Sequence, residues 1–280
     1  PVAPEVVQAM MEVYQTVHGN PSSTHGPGRK AKALVETSRR RIAKLLGCPP
    51  RTICFTSGGT EADNHAIQAA VNSLGVRRIV TSEAEHSAVI KTAQSLARTN
   101  GIGLALVRHH ANGEVDLAHL AELLEVEGKA IVSLMHANNE VAVVQDIAKI
   151  GAMCREAGAL FHTDTVQTMG HYAFDLEQLQ VDFITCSAHK FHGPKGIGFL
   201  YIRKGLQVGG QIEGGSQERA VRGGTESTHN IVGLARAMEL AYTDLDAHRA
   251  HISGLKARMA KGLRAAFPSV RFNGDSDEPT

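Results

Sequence analysis

Short apolar and β-branched runs alternate along the chain with stretches whose apolar positions have a helical spacing. The runs cover residues 52–56, 78–81, 104–107, 130–135, 160–163, 183–186 and 198–202. Strands that alternate with helices are typical of an α/β fold with a largely parallel sheet. The pattern therefore predicts a mostly parallel sheet of about seven strands flanked by helices.

Apolar residues at steps of three and four predict the helices. Two such sets flank the first strand: Ala31, Leu34, Ile42 and Leu45, then Ala66, Ile67, Ala70 and Val71. After the sheet, two longer sets run from Ile231 to Leu245 and from Ile252 to Leu263, before Pro268. We expect long helices there that lead toward a further domain.

The charge balance argues against a nucleic-acid partner. The chain has 29 Lys and Arg against 28 Asp and Glu, a formal net charge of +1, and no basic run with interleaved aromatic residues. Its longest apolar stretches are strand-sized, well short of the roughly 20 residues that span a bilayer. This composition predicts neither nucleic-acid binding nor a membrane segment.

The cysteines indicate the cellular location, and the two ends of the sequence indicate whether the chain is longer. The four cysteines are Cys48, Cys54, Cys154 and Cys186. They lack any C-x-x-C spacing, so a zinc site or disulfide framework has little support and a reducing, cytoplasmic location is expected. Residues 1–4 lack an initiator methionine and a signal-peptide pattern, and residues 273–280 are polar. We expect a longer chain around this sequence.

A glycine-rich turn follows the first predicted strand. Gly58 and Gly59 allow close backbone approach, and Thr60 with Asp63 three residues later resembles a capping pair at a helix start. The exposed N–H groups of such a start can bind a phosphate. The same turn is also a common connection without any ligand, so its weight depends on its partners.

Asp164 closes the strand predicted at 160–163, at the edge where open α/β sheets place ligands. A carboxylate there can keep a pyridine nitrogen protonated, although a helix cap or a surface turn is an alternative role. His162, two residues earlier, points to the same face of the strand. A structural role is favoured for that histidine.

Lys190 leaves the carboxyl end of the strand predicted at 183–186. Its amine can bind an aldehyde covalently if its surroundings leave it partly deprotonated. A lysine in a loop is otherwise a solvated charge. The nearest competitor, Lys195, follows the Gly193-Pro194 turn rather than a strand and ranks second.

These three pieces together suit one cofactor, pyridoxal 5'-phosphate (PLP). The lysine can hold its aldehyde, the aspartate can pair with its pyridine nitrogen, and the glycine-rich helix start can bind its phosphate. Each piece alone has an ordinary structural explanation, so the prediction depends on the combination.

Longer motifs surround these residues in order along nearly the whole chain. They are Gly19-Asn20-Pro21-Ser22-Ser23, Ser57-Gly58-Gly59-Thr60-Glu61, Glu85-His86, Asn138-Asn139-Glu140, His162-Thr163-Asp164-Thr165-Val166-Gln167, Ser187-Ala188-His189-Lys190, Gly193-Pro194-Lys195-Gly196, Gly214-Gly215-Ser216-Gln217-Glu218-Arg219 and Gly224-Thr225-Glu226. The set resembles the cysteine desulfurases, which are fold-type I PLP enzymes of the class V aminotransferase group.

The resemblance implies a three-layer fold with the smaller C-terminal domain largely missing. It places residues 1–20 in an N-terminal segment of that small domain. Residues 21–230 become the large PLP-binding domain. Residues 231–280 become linking helices and the start of the truncated small domain.

The family pattern also implies a role for each residue around the cofactor ring. Lys190 holds the aldehyde, and Asp164 pairs with the pyridine nitrogen. His86 stacks on the ring and helps to move protons, so Lys190 and His86 are the implied catalytic residues. Gln167 and Asn139 lie near the phenolic oxygen.

A second group of residues is implied for the phosphate. Gly59, Thr60, Ser187 and His189 hold it from the same subunit. Thr225 reaches it from the other subunit of a homodimer. The dimer is therefore an expectation from the resemblance.

The reaction implied is removal of sulfur from L-cysteine, which gives alanine and an enzyme persulfide. The sulfur would pass to an acceptor or scaffold protein for iron–sulfur clusters or thiolated molecules. In the family, the nucleophilic cysteine and the carboxylate-binding arginine lie on a later segment that this sequence does not reach. None of the four cysteines matches that position.

Three alternatives remain open. A selenocysteine lyase shares nearly all of these motifs. The sequence as given can also be a PLP-binding module that lacks the thiol for sulfur transfer. A metal-dependent hydrolase would use His162, Asp164, His189 and His192 as zinc ligands, but it leaves the lysine and glycine motifs unexplained.

Overall fold

The structure, a computed structural model, describes residues 1–272, in which eight α-helices and seven strands are assigned. The helices are α1 (Pro4–Thr16), α2 (Gly26–Leu45), α3 (Gly59–Asn72), α4 (Ser87–Asn100), α5 (Leu117–Leu124), α6 (Ile147–Glu156), α7 (Thr228–Thr243) and α8 (Leu245–Ala266). The strands are β1 (Ile53–Thr56), β2 (Arg78–Thr81), β3 (Gly103–Leu106), β4 (Ala130–Ser133), β5 (Leu160–Asp164), β6 (Phe183–Ser187) and β7 (Gly198–Ile202).

The strands form one sheet in the order β1-β7-β6-β5-β4-β2-β3. The pairings that join β3, β2, β4, β5 and β6 are parallel. β7 runs antiparallel to both of its neighbours, β1 and β6. The prediction of a mostly parallel sheet of seven strands is confirmed.

Helices cover both faces of this sheet, so its strands are apolar on both sides. In β7, Phe199 and Tyr201 join one apolar cluster, which also contains Leu234 of α7. Leu200, between them, joins the other cluster with Ile67 of α3. Side chains of successive strand residues point to opposite faces. The result is the expected arrangement of three layers.

Some element ends differ from the predicted ones. β4 ends at Ser133 instead of 135, because the N–H of Met135 donates to a carboxylate oxygen of Glu85 at 2.7 Å and not to a neighbouring strand. The apolar set from Ile231 to Leu245 does not form one helix. It is divided at Asp244, where α7 ends and α8 begins.

The last two helices, α7 and α8, differ in how many of their apolar side chains are buried. α7 packs against α1 and α2 and buries Ile231, Leu234 and Met238. α8 buries Ala260, whereas its Met259 is 67% exposed. The predicted long helices are therefore present, and the second one presents apolar side chains to solvent.

None of the helices within residues 1–272 has the length and apolar composition needed to cross a membrane. The polar stretch at 273–280 lies outside the described residues.

Candidate active site

A cavity of about 210 Å³ lies at the edge of the sheet where β4, β5 and β6 end. Parallel strands bring the residues at their carboxyl ends together. Nine of the residues predicted from the sequence line it: Gly59, Thr60, His86, Asn139, Asp164, Gln167, Ser187, His189 and Lys190. The structure thus brings these residues together, and their individual roles stay predictions.

Lys190 reaches this cavity from a short 3-10 helix, Ala188–Phe191, directly after β6. The ring nitrogen Nε2 of His171 lies 3.3 Å from the Lys190 carbonyl oxygen, which anchors the backbone. Lys195, the competitor, is exposed and is not among the residues that line the cavity. The geometry therefore favours Lys190 as the lysine that meets a ligand here.

Asp164 is the last residue of β5 and is 7% exposed. Its Oδ1 accepts a hydrogen bond from the N–H of Val166 at 2.8 Å, which leaves Oδ2 available to a ligand. Burial, reinforced by the nearby Asp63 carboxylate, raises the pKa of Asp164 to about 7. A positively charged N–H group in the cavity would offset this penalty and hold the carboxylate in its ionised form.

The glycine turn lies between β1 and α3. Gly58 precedes the helix with a φ of 152°, a conformation that favours glycine. A Cβ atom at Gly59 would lie only 2.7 Å from Cγ2 of Val166, so the position has no room for a side chain. The first N–H groups of α3 are thereby exposed to the cavity, as an anion-binding helix start requires.

The interpretation of Thr60 and Asp63 as a capping pair is wrong. Gly58 occupies the N-cap position and makes no side-chain capping bond. Glu61 serves the turn instead, because its Oε2 accepts from the N–H of Ser57 at 2.8 Å. Asp63 is 1% exposed and lines the cavity, since its position on α3 faces the sheet.

Ser187 and His189 form the opposite side of the phosphate region. The hydroxyl Oγ of Ser187 lies 2.9 Å from Nδ1 of His189. Gly58 is close to the same hydroxyl, since a Cβ there would lie 3.7 Å from it. Hydroxyl, imidazole and helix N–H groups therefore converge on one region that suits an oxyanion.

His86 caps the next helix and faces the cavity. Its Nδ1 accepts from the N–H of Ala88 at 3.1 Å at the start of α4. An accepting Nδ1 carries no proton, so the neutral ring carries its proton on Nε2. The hydrogen bond fixes both the ring orientation and the tautomer.

The two predicted amides lie on the cavity wall with different freedom. Asn139 is exposed and its Nδ2 donates to Oε1 of Glu140 at 2.8 Å. Gln167 is half-buried just after β5. Met135 and Val166 also line the cavity, although neither is predicted from the sequence as a site residue. Apolar wall residues of this kind have no signal beyond their nearness in sequence to the polar ones.

Thr225 does not line this cavity. It lies instead with Ser57, Gly196 and Arg222 around a separate cavity of about 210 Å³. Arg222 ties this region to the turn, because its Nε donates to Oε1 of Glu61 at 2.8 Å. The sequence prediction placed Thr225 at the site of the other subunit, and its position outside the cavity of its own subunit is compatible with that.

The four cysteines are free, and none of them lines the cavity. Cys54, Cys154 and Cys186 are buried. Burial raises the pKa of Cys154 to about 12 and that of Cys186 well above its ordinary value. Cys48 is half-buried, and burial raises its pKa as well. These thiols are poorly suited to act as thiolates.

The residues of the alternative zinc site do not come together. His162 is fully buried, with Nδ1 2.8 Å from Oγ of Ser133 and Nε2 3.0 Å from Oγ1 of Thr185. This is the structural role that the sequence favoured for it. Within residues 1–272, no group of three or more His, Cys, Asp or Glu side chains is arranged to hold a metal ion.

The cavity fits PLP on its own geometry. Gly59 leaves the helix start open where a Cβ would clash, which suits a phosphate. Asp164 offers a buried carboxylate to a ring nitrogen, and Lys190 brings a primary amine to the same cavity. PLP supplies an aldehyde that binds amines and a pyridinium ring that accepts electrons from the substrate.

Comparisons with known proteins agree with this site. The aminotransferase class-V family profile matches residues 1–280. The chain is 39% identical over 276 residues to the cysteine desulfurase IscS of Clostridium botulinum, and this alignment covers 98% of the chain and 69% of the relative. It is 40% identical over 285 residues to the cysteine desulfurase IscS of Salmonella arizonae, and that alignment covers 99% of the chain and 70% of the relative.

Solved structures give the same picture. A NifS-like protein superposes with a TM-score of 0.91 at 39% identity, over 94% of this chain and 73% of that one. DndA from Streptomyces lividans superposes with a TM-score of 0.89 at 30% identity, over 99% and 79%. SspA in complex with cysteine superposes with a TM-score of 0.81 at 34% identity, over 85% of this chain and 70% of that one.

Proposed function

The chain belongs to the class-V aminotransferase family, and we propose that it is a PLP-dependent cysteine desulfurase. Its reaction takes the sulfur of L-cysteine to a thiolate and releases L-alanine. The observation that carries this proposal is the cavity in which Lys190, Asp164 and the Gly59 turn meet. The family and the fold type implied by the motifs are confirmed.

Each cavity residue has a task that its position supports. Asp164 holds its charge against the ring nitrogen from a buried position, and the N–H of Val166 orients the carboxylate. The Gly59–Thr60 backbone, with Ser187 and His189, would bind the phosphate oxygens. Together with Asp164, these residues would hold PLP in the cavity.

Proton movement falls to two side chains. The Lys190 amine reaches the cavity from the end of β6, and His86 presents Nε2 because Nδ1 is engaged by the backbone. Lys190 would take the proton from the Cα atom of the substrate, and His86 would exchange protons through its Nε2 atom. Met135 and Val166 add apolar surface to the wall of the cavity.

The thiol that accepts the sulfur is, in this proposal, none of the four cysteines of the sequence. Three are buried and none lines the cavity, as described above. An acceptor cysteine must approach the cavity from another segment or another protein. The delivered sulfur then serves iron–sulfur clusters or thiolated molecules, and we place the enzyme in the cytoplasm because all four thiols are free.

We also propose a homodimer in which Thr225 completes the phosphate site of the partner subunit. The loop that bears Thr225 lies outside its own cavity but is tied to the Ser57 turn through Arg222 and Glu61. For the domains, we propose a large domain at residues 21–230 and linking helices after it. The exposed apolar side chains of α8 support a further domain beside it.

The first test is the visible absorption spectrum of the purified protein with added PLP. The wild type is expected to show the band of a lysine-bound cofactor, and Lys190→Ala is expected to lose it, because the variant lacks the amine. Lys195→Ala is the matched control, since Lys195 lies five positions later on an exposed turn. Loss of the band in Lys195→Ala with retention in Lys190→Ala would contradict the assignment.

A further inference from the structure

Asp63 is a second carboxylate beside Asp164 and has no task in the mechanism above. It is 1% exposed, and its Oδ1 has no hydrogen-bond partner in the described part of the chain. The nearest imidazole nitrogen, Nε2 of His162, is 3.5 Å from that oxygen. An unpartnered buried carboxylate is costly, so its presence on the cavity wall calls for a compensating group.

A chain of hydrogen bonds leads to Thr185, whose hydroxyl lies close to Asp63. Oγ of Ser133 lies 2.8 Å from Nδ1 of His162, and Nε2 of His162 lies 3.0 Å from Oγ1 of Thr185. The hydroxyl of Thr185 also stabilises the ionised form of the Asp63 carboxyl group, although burial is the larger effect and raises its pKa. Burial lowers the pKa of His162 to about 4, so this chain orients Asp63 without giving it a positive charge.

The charged groups that face Asp63 are mostly acidic. Asp164 of β5 and Glu85, just before α4, are both buried carboxyl groups. Burial raises the pKa of all three carboxyl groups, and that of Asp63 to about 7. Lys190, His86 and His189 are the basic side chains that line the same cavity. The buried carboxyl groups of Asp63 and Asp164 therefore favour a bound positive charge in the cavity.

A negative charge at Asp63 strengthens the binding of a proton by its neighbours. Together with burial, it raises the pKa of Asp164. By the same sign it raises the proton affinity of any ring nitrogen placed against Asp164. The unpartnered oxygen thus has an electrostatic role that requires no contact with the ligand.

We propose that Asp63 supplies a second negative charge beside Asp164, and that the field of this charge helps to keep the ring nitrogen of the cofactor protonated. This inference rests on the proposed function, because it requires PLP in the cavity. The Ser133-His162-Thr185 chain holds Asp63 in place for this task.

The test is Asp63→Asn, which keeps the shape of the side chain while it removes the charge. PLP labelled with ¹⁵N at the ring is titrated by NMR in the wild-type holoenzyme and in the variant. The pKa of the ring nitrogen is expected to fall by about one in the variant, a tenfold weaker binding of the proton. In the cofactor-free proteins, ¹³C-carboxyl NMR is expected to show a lower pKa for Asp164 in the variant.

A second pair of variants covers the case in which Asp63→Asn does not fold. Thr185→Val removes the hydroxyl that stabilises the Asp63 anion, and a smaller fall of the ring-nitrogen pKa is expected. Thr185→Ser keeps the hydroxyl and is expected to match the wild type. A structural role for Thr185 alone would affect cofactor retention without moving this pKa.

The outcomes separate the inference from the proposed function. If the wild type binds PLP and the ring-nitrogen and Asp164 pKa values are the same in wild type and Asp63→Asn, the inference is overturned and the proposed function stands. If the wild type binds no PLP, the proposed function fails and the inference fails with it. A fall of both pKa values in the charge-removing variant supports the inference.

Discussion

At the scale of single residues, burial decides which side chains carry charge. His136 is 8% exposed and packs edge-on against the rings of Tyr172 and Phe174. Its Nδ1 lies 2.9 Å from Oγ1 of Thr168. Burial lowers the pKa of His136 to about 4. The folded protein therefore holds this ring neutral at a pH where an unfolded chain would already protonate it.

Because the pKa of His136 is lower in the folded protein than in the unfolded chain, part of the free energy of unfolding is expected to be lost at acidic pH. The folded pKa of His136 lies below the unfolded value of about 6.5, so the unfolded chain binds the extra proton. The stabilising contribution is fully present above about pH 6.5 and is lost as the pH falls toward 4, by up to about 3 kcal/mol. In His136→Asn, which keeps a polar atom near the Nδ1 position, this loss is expected to disappear.

The measurement is the free energy of unfolding by urea at several pH values for both proteins without PLP. Comparison of the two cancels other groups that titrate in this range, such as His162 and the buried carboxyl groups. Parallel curves for wild type and His136→Asn between pH 6.5 and 4 would rule out this account.

Single residues also mark how far the sequence could predict the site. Lys190, Asp164 and the Gly59 turn stood out because each follows a strand that ends at one edge of a parallel sheet. Asp63 did not, because a carboxylate near a helix start is ordinarily a cap. Its distance of three and four residues from buried Ala66 and Ile67 does put it on the buried face of α3, which was the available signal.

At the scale of elements, the loop that contains Glu218 is held by a buried ion pair with Arg39 and by a hydrogen bond to strand β1. The loop around the short helix Gln217–Ala220 places Glu218, Arg219 and Ala220 at φ values of 46°, 60° and 62°. Such left-handed backbone is costly for residues other than glycine. Glu218 offsets it, because its two oxygens lie 2.7 Å from the two terminal nitrogens of Arg39. It also accepts from the N–H of Phe55 in β1 at 2.9 Å.

Removal of this carboxylate is expected to be strongly destabilising. Glu218→Ala would leave the 2%-exposed Arg39 guanidinium buried without its bidentate partner, and about 3–5 kcal/mol of stability should be lost. Glu36→Ala is the matched control, since the side chain of Glu36 is 40% exposed and also contacts Arg39, at 3.2 Å. That variant should lose no more than about 1 kcal/mol.

Urea unfolding of the two variants beside the wild type makes the comparison. Equal losses of stability in Glu218→Ala and Glu36→Ala would mean that the buried ion pair does not hold the loop.

The strands could be predicted from the sequence, but not the direction of each one in the sheet. Apolar periodicity identified the seven strands, but the reversed direction of β7 was not visible in it, because a strand buried on both faces has the same pattern in either direction.

At the scale of the whole molecule, the proposed dimer predicts complementation between subunits. A hybrid dimer is formed from one Lys190→Ala subunit and one Thr225→Val subunit. If Thr225 serves the site of the partner, one site receives both defects and the other is intact. If Thr225 serves its own site, both sites are defective.

The readout is the PLP content and affinity of purified hybrids that carry two different affinity tags. One tightly bound PLP per dimer is expected, with the affinity of the wild type, whereas the Thr225→Val homodimer is expected to bind about tenfold more weakly because it lacks a charge-assisted hydrogen bond to phosphate. A hybrid whose one occupied site has the weak affinity would place Thr225 in its own subunit.

The position of β7 has a consequence for how the protein is made on the ribosome. In the sheet described here β1 borders β7 alone, and a Cβ atom at Gly198 of β7 would lie 3.0 Å from Cα of Gly58. β1 and the phosphate turn are synthesised early, yet the strand that supports them emerges only after Lys190. The nascent chain therefore cannot complete the cofactor pocket until residues up to Ile202 have left the exit tunnel, and until then the buried face of β1 is available to chaperones.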